Sequence, residues 1–423
     1  MTAVTAAPPR IQTLDTVRGI AVMGILAMNI VAFAMPFQAY MNPLAYGTES
    51  AADLASWAFN FVFIDGKMRG LFSFLFGASM LLVIERAEAS GRSPARIHYA
   101  RMLWLLVFGL LHFFFIWHGD ILAGYAQIGL IAFFFRRLSV RALMRWGIGL
   151  VVVQLLLFSF FAFSTFYLQS EVAGRNPSAD AIRQWQEMQG QIGVPTQQAL
   201  SEKLALFTGP YSGIVHHQLE KLLEPFMSLL FFGCETLAYF LFGMAALKSG
   251  FFRGEWAIER YRRIALIGFA IGIPVYGLLA AVLLRADFDL PMIVAAALAA
   301  TVPFRPVMVL AIAALIILLT RSGGGFVERI AAAGRAAFTN YLGASILMTG
   351  LFYGWGFGLF GSMSRIELWI VVVAMWALML TWSKPWLERF QYGPFEWLWR
   401  SLSRWELQPM RRRREVEPAA AAV

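Results

Sequence analysis

Apolar residues fall in ten runs of about the size a helix needs to cross a bilayer, ~17–25 residues. They lie near 19–36, 66–85, 102–117, 121–135, 146–168, 225–247, 264–284, 300–320, 337–353 and 366–383. The pattern predicts an all-α fold, a polytopic transmembrane helix bundle of about ten spans. Two stretches break it. Residues 53–65 are apolar but too short to span. Residues 291–320 are too long for one straight helix and carry Pro303 and Pro306, so their first half is expected to be interfacial or re-entrant. Residues 169–221 form one large hydrophilic stretch in which Gln184, Trp185, Met188 and the run 199–207 predict short amphipathic helices capping the bundle. The domain plan is a five-span half (1–168), this extracytoplasmic loop, a second five-span half (222–400) and a cytoplasmic tail (401–423). No internal repeat and no matching pair of interrupted helices stands out, which weakens an inverted-repeat transporter.

Composition supports lipid as the solvent. Of 423 residues 59% are hydrophobic and only 14% charged, against ~25% in soluble domains. The net charge of +10 does not mark a nucleic-acid partner, because the basic residues sit between apolar runs instead of in one patch. Charge also sets orientation. If 53–65 lies on the membrane surface, the segments 1–18, 86–101, 136–145, 248–263, 321–336 and 384–423 are cytoplasmic and hold 26 of the 35 Lys and Arg. That is the positive-inside pattern, with both termini inside (N-in/C-in). If 53–65 spanned, the basic loops would face outward. Trp57, Phe59, Phe61 and Phe63 suit a segment at headgroup level. The loop 169–221, with four Lys/Arg and five Asp/Glu, leaves the rule undisturbed. The expected location is a bacterial cytoplasmic (inner) membrane, multi-pass. The first run reads as a retained helix, since no small-residue cleavage signal follows it. The tail 411–423, four arginines followed by acidic and Ala-rich residues, is expected to be disordered beside the membrane. The single cysteine, Cys234, excludes an intrachain disulfide.

Polar groups inside lipid are costly when unpaired, so each is a candidate for function. They gather toward the outer half of the first four spans. Asn29 lies roughly 15 Å along the first helix. Asp65, Lys67 and Arg69 open the second span, His112 lies in the outer third of the third, and His118, Gly119 and Asp120 form a tight turn before Tyr125 and Gln127. A histidine beside a carboxylate is how a general base is oriented. The same residues also suit a lid of ion pairs with hydrogen-bonded histidines. Glu235 sits in mid-span, where a bare carboxylate costs ~2.5–3.5 kcal/mol; it needs a partner, a proton or a water-filled cavity. Asp15 and Arg18 are spaced for a local ion pair. Gly323–Gly325 reads as an ordinary loop, and His216 and His217 lack metal-ligand spacing, so no metal site is expected. No Walker, dinucleotide or Gly-x-Ser-x-Gly motif occurs.

Several strings resemble the YeiB-like bacterial membrane proteins, whose C-terminal half is called domain of unknown function 418. These are Leu-Asp-Thr-Val-Arg-Gly-Ile-Ala (14–21) running to Met28-Asn29-Ile30, Gly66-Lys67 with Leu-Phe-Ser-Phe-Leu-Phe-Gly (71–77), and Leu-Leu-His (110–112) with His-Gly-Asp-Ile-Leu (118–122) and Tyr125. The C-terminal half matches through Gly-Arg-Ala-Ala-Phe-Thr-Asn-Tyr-Leu (334–342), which contains Asn340 and Tyr341, and Gly-Pro-Phe-Glu-Trp-Leu-Trp-Arg (393–400). The resemblance covers nearly the whole chain. The first half is also similar to transmembrane acyltransferases of the heparan glucosaminide N-acetyltransferase type, through Asp15, Arg18, Gly19 and Asn29. That likeness implies transfer from cytoplasmic acyl-CoA to an acceptor on the far side. Those enzymes carry a catalytic histidine just beyond this helix, and residues 30–48 contain none, so His112 or His118 must substitute.

Two readings follow. As an acyltransferase, the chain would use His112 or His118 with Asp120 as base and Asn29 toward the oxyanion. Arg18, Arg101 and Arg335, with Arg96, Arg136 and Arg137, would attract the phosphates of acyl-CoA. Asp65, Lys67, Arg69, Tyr125, Gln127, Glu235, Asn340 and Tyr341 would line the substrate pocket. The alternative is a transporter or lipid- or solute-handling protein with a buried polar pocket that depends on Glu235; a structural or regulatory role is a third. Expected partners are the lipid bilayer, a small-molecule, glycan or lipid acceptor, and a second copy of the chain.

Overall fold

The computed structural model describes residues 11–412; Arg10 and residues 413–423, most of the basic tail, lie outside the described residues. All ten apolar runs are helical. In chain order the helices are α1 (Gln12–Ala34), α2 (Gln38–Met41), α3 (Ala51–Phe59), α4 (Lys67–Ala89), α5 (Pro94–Phe115), α6 (Leu122–Ala132), α7 (Val140–Val172), α8 (Ala179–Ile192), α9 (Gln197–Thr208) and α10 (Tyr211–Leu219). The second part adds α11 (Glu224–Lys248), α12 (Ile258–Arg285), α13 (Leu290–Met292), α14 (Arg305–Thr320), α15 (Gly325–Arg335), α16 (Ala337–Phe352), α17 (Leu368–Arg389) and α18 (Pro394–Arg404). Seven stretches are long and apolar enough to cross a membrane: α1, Ala51–Ala89, α5, α7, α11, α12 and α17. The stretches Leu122–Phe135, Leu290–Ala299, Arg305–Thr320 and Ala337–Phe352 are apolar but shorter.

Burial sorts the helices. α1 is buried on nearly every side and forms the centre, packed by α4, α15, α16 and α17. By contrast α7 buries one stripe (Leu143, Gly147, Val151, Gln154, Phe158, Ala162) at three- and four-residue spacing. Its other face exposes Leu156, Phe160 and Phe163. An apolar outer face is what lipid requires and water would not tolerate. Without a hydrophobic drive between helices, close backbone approach supplies the packing. α4 and α11 cross through a reciprocal glycine pair: a Cβ on Gly77 would fall on the Phe240 carbonyl, and one on Gly243 on the Phe74 carbonyl.

Loops gather at two ends. At the basic end Arg136 faces Glu88, and Lys248 donates to the carbonyls of Arg136 and Leu138. At the opposite, far end Gly361 N donates to Ala34 O, Gly354 N to Phe207 O, and Tyr211 Oη to Phe115 O.

Two expectations are corrected. Residues 53–65 are not a separate helix that presents its aromatics outward. α3 continues through a π-turn (Asn60–Ile64) and joins α4 at Asp65 and Gly66, where φ is +71°. Trp57 and Phe61 are buried, against Phe288 and Tyr276, and of the four aromatics only Phe59 is well exposed. Nor is a matching pair of interrupted helices missing. α13 also enters a π-turn (Ile293–Ala299), breaks at 300–304 and resumes as α14 behind Pro306. The first break follows α1, with the short α2 and α3 between, and the second follows α12; the two meet, with Gly66 against the Arg305 side chain. A π-turn changes hydrogen bonding without changing hydropathy, so the apolar pattern passes over it.

The α4–α11 crossing gives a direct test. Gly243→Leu is expected to lower the thermal unfolding midpoint of detergent-purified protein. Gly149→Leu, at a position on α7 with open space around it, is expected to leave it unchanged.

Candidate active site: two cavities and a histidine–aspartate pair between them

Glu235 on α11 is fully buried, and its partners come from both broken helices. Arg69, in the first turn of α4, donates to Oε2, and Arg305, the first residue of α14, donates to Oε1. Tyr239 Oη adds a bond to Oε1 at 2.9 Å, and Arg305 also donates to Thr301 Oγ1 at 2.7 Å. A carboxylate in low dielectric is tolerated only when paired in this manner. Lys67 is also fully buried; it donates to Phe61 O and stands 3.2 Å above the Tyr276 ring centroid.

Arg69 and Arg305 line a cavity of about 400 Å³ toward the far end. Asn29, Asp65, His118, Asp120 and Tyr125 line the same cavity, as do the aromatic rings of Tyr40, Trp57, Phe61 and Trp117. Burial pushes the His118 imidazole down to about 3, with Lys221, His217 and Lys203 adding repulsion, so it is neutral at neutral pH.

A second cavity, of about 250 Å³, opens toward the basic end. Arg18, Arg86, Arg101, Arg335 and Arg400 line it, with Asp15, Ser79 and His98. Arg18 is braced by Asp15 at 3.0 Å and Ser79 at 2.7 Å. The amphipathic α18 closes one wall. Its Glu396 caps α16, accepting from Phe338 N, Thr339 N and Thr339 Oγ1. Burial raises the Glu396 carboxyl while those bonds lower it. The Trp399 ring lies 4.0 Å from the Arg101 guanidinium, and its indole N–H donates to Arg101 O.

Between the cavities stands His112. Its Nδ1 pairs with Asp120 Oδ1 at 2.9 Å, and Asp120 Oδ2 accepts from Ala123 N at 2.7 Å, capping α6. Asp120 lines the far-end cavity; Tyr341, whose ring lies 5.3 Å from His112, lines the basic-end one. His112 itself lines neither, and its Nε2 has no hydrogen-bond partner among the described residues. With Nδ1–H held by the carboxylate, Nε2 presents a lone pair, the arrangement of a general base.

The expected residues therefore separate. Asn29, Asp65, Arg69, His118, Asp120 and Tyr125 meet at one cavity, and Arg18, Arg101, Arg335 and Tyr341 at the other. Four further residues expected at the pocket line neither cavity. Lys67 and Glu235 are enclosed in the ion cluster. Gln127 is tied to Pro225 O at 3.2 Å and lines neither cavity. Asn340 braces the α15–α16 break through Ala333 O, Ser383 and Trp382. Arg305 escaped sequence reasoning although it is the only charged residue in 291–320. That isolation, between Pro303 and Pro306, was the available signal for Glu235's partner. Arg86, Arg400 and His98 carried no such mark.

The family described as "Protein of unknown function (DUF418)" matches residues 246–406. The chain is 31% identical over 417 residues to "Uncharacterized protein YxaH" of Bacillus subtilis (strain 168), covering 96% of this chain and 97% of that one. It is also 31% identical over 400 residues to "Uncharacterized protein YeiB" of Escherichia coli (strain K12), covering 92% and 95%. No solved structure matches.

Removing the central carboxylate should leave two guanidiniums facing each other. Glu235→Leu is expected to cost about 3–5 kcal/mol of stability and Tyr239→Phe about 1 kcal/mol, read as shifts in the unfolding midpoint of the purified protein.

Proposed function

Since this chain belongs to the YeiB-like DUF418 family, we propose that it transfers an acyl group from cytoplasmic acyl-CoA to an acceptor on the opposite side of a bacterial cytoplasmic membrane. The basic end is then cytoplasmic, with ten spans and both termini inside, as the distribution of Lys and Arg favours. The observation that carries the reading is the His112–Asp120 pair between an arginine-lined cavity and an outer one. Five arginines around one cavity suit the phosphates of CoA, and guanidiniums bind phosphate by charge-assisted, bidentate bonds.

The chemistry balances with no further reactant. The acceptor hydroxyl or amine attacks the thioester carbonyl carbon as His112 Nε2 takes its proton, a step that requires the wall enclosing Nε2 in this structure to open toward the ligands. The tetrahedral adduct collapses, the C–S bond breaks, and the proton returns to the departing thiolate. Asp120 holds the imidazole in the required tautomer and stabilises its cation. The Asn29 amide is available to the oxyanion. His118 lacks a carboxylate partner and is a weak base in its surroundings.

Acetyl-CoA is expected to bind purified protein by calorimetry, with Arg18→Ala and Arg101→Ala each weakening binding by about tenfold. His112→Ala is expected to cut acyl-CoA turnover ~10²–10⁴-fold, and His118→Ala much less. Full turnover in His112→Ala would remove His112 as base. For the topology, a fluorescent protein on the C-terminus is expected to mature, and alkaline phosphatase inserted near residue 194 to be active.

The paired helix breaks support a second reading, transport of a solute through the outer cavity, since breaks at a binding site are the transporter pattern. It predicts Glu235-dependent flux in proteoliposomes without acyl-CoA.

A further inference from the structure

The cations on the outer cavity's wall are Arg69 and Arg305. Both face Glu235, and Arg305 also stands near Asp65. The other acids on the wall are engaged: Asp120 by His112 and the α6 amide, and the exposed Glu224 by Lys221 at 3.8 Å. Arg365 lies near Asp53 as well as Asp65.

Donors are in excess. Arg69 spends one Nη on Glu235 and remains 17% exposed at the wall. Trp117 lines the cavity at 2% exposure, its ring stacked on Phe33 at 3.9 Å, and its indole N–H finds no acceptor among the described residues. That group can only donate, and leaving it unmatched is costly. The N-termini of α4 and α14 both open on the cavity, since Asp65, Gly66, Thr301 and Arg305 line it. Two positive helix ends from separate breaks thus converge on one space, a field that favours an anion. The rest of the wall is largely aromatic and aliphatic.

We infer that the outer cavity binds an amphiphilic anion, a carboxylate or phosphate head held near Arg69, Arg305 and the Trp117 indole, with its apolar body among the aromatic rings. The acceptor of the proposed transfer then carries such an anionic group beside the hydroxyl or amine that is acylated. This assignment of the ligand as acceptor rests on the acyl-transfer reading; the binding itself does not.

The test is calorimetry on the full-length protein in phosphatidylcholine nanodiscs, with octyl phosphate, octanoate, octanol and inorganic phosphate as probes. Octyl phosphate and octanoate are expected to bind about tenfold or more tighter than octanol, and inorganic phosphate more weakly than octyl phosphate. Trp117→Phe, which keeps the stacked ring, is expected to weaken octyl phosphate several-fold and to leave acetyl-CoA affinity unchanged; Arg69→Gln is expected to weaken octyl phosphate several-fold. Equal affinity for octanol, or wild-type affinity in both variants, would overturn the anion site. Inorganic phosphate binding as tightly as octyl phosphate would overturn the amphiphile. Loss of acetyl-CoA binding with octyl phosphate binding retained would count against the acyl-transfer reading alone.

Discussion

Two guanidiniums closing on one buried carboxylate set the frame for the rest of the molecule. Glu235 sits where lipid-facing helices permit no bare charge, so Arg69 and Arg305 must reach it. Each arginine stands just past a helix break, one in each half of the chain. The cluster therefore fastens α4 and α14 to α11 and holds the breaks face to face. The breaks leave room beside them, and that room is the outer cavity. A purely apolar junction would pack as tightly as the glycine crossing of α4 and α11 and would leave no cavity.

The basic-end cavity is built by different means. The strings 334–342 and 393–400, far apart in the chain, form one clasp there. Glu396 caps α16, and the Phe338 and Trp399 rings lie 5.4 Å apart. Trp399 in turn stacks on Arg101. A capping carboxylate and an aromatic–guanidinium stack can hold α18 against the bundle without the deep burial that spanning helices enjoy. The His112–Asp120 pair lies where the two constructions meet.

What could be read from residues alone follows the reach of each signal. Hydropathy located every apolar helical run because lipid acts on each residue independently of its neighbours in space. The turn at His118–Asp120 forced α5 and α6 together, which put His112 within reach of Asp120. Arg18, Arg101 and Arg335 were legible as basic positions at helix ends. By contrast, Trp57 and Phe61 were misread as headgroup aromatics, because an aromatic ring suits an interface and a core equally well. The bracing contacts of Gln127 and Asn340 were not legible, because a buried amide looks the same whether it binds a ligand or braces a helix. The prolines marked the break in 291–320, but the one before α4 and the meeting of the two stayed hidden, because π-turns leave no compositional trace.

Lipid solvation, acting run by run, determined the helical class and the number of apolar runs from the sequence alone. It also made Glu235 a residue in need of a partner. Which cation answered it, how the two breaks meet and where cavities remain were decided by tertiary packing. Those outcomes depend on distances between helices far apart in the chain, such as Arg69 to Glu235 and Glu235 to Arg305, and a one-dimensional pattern carries no such distances.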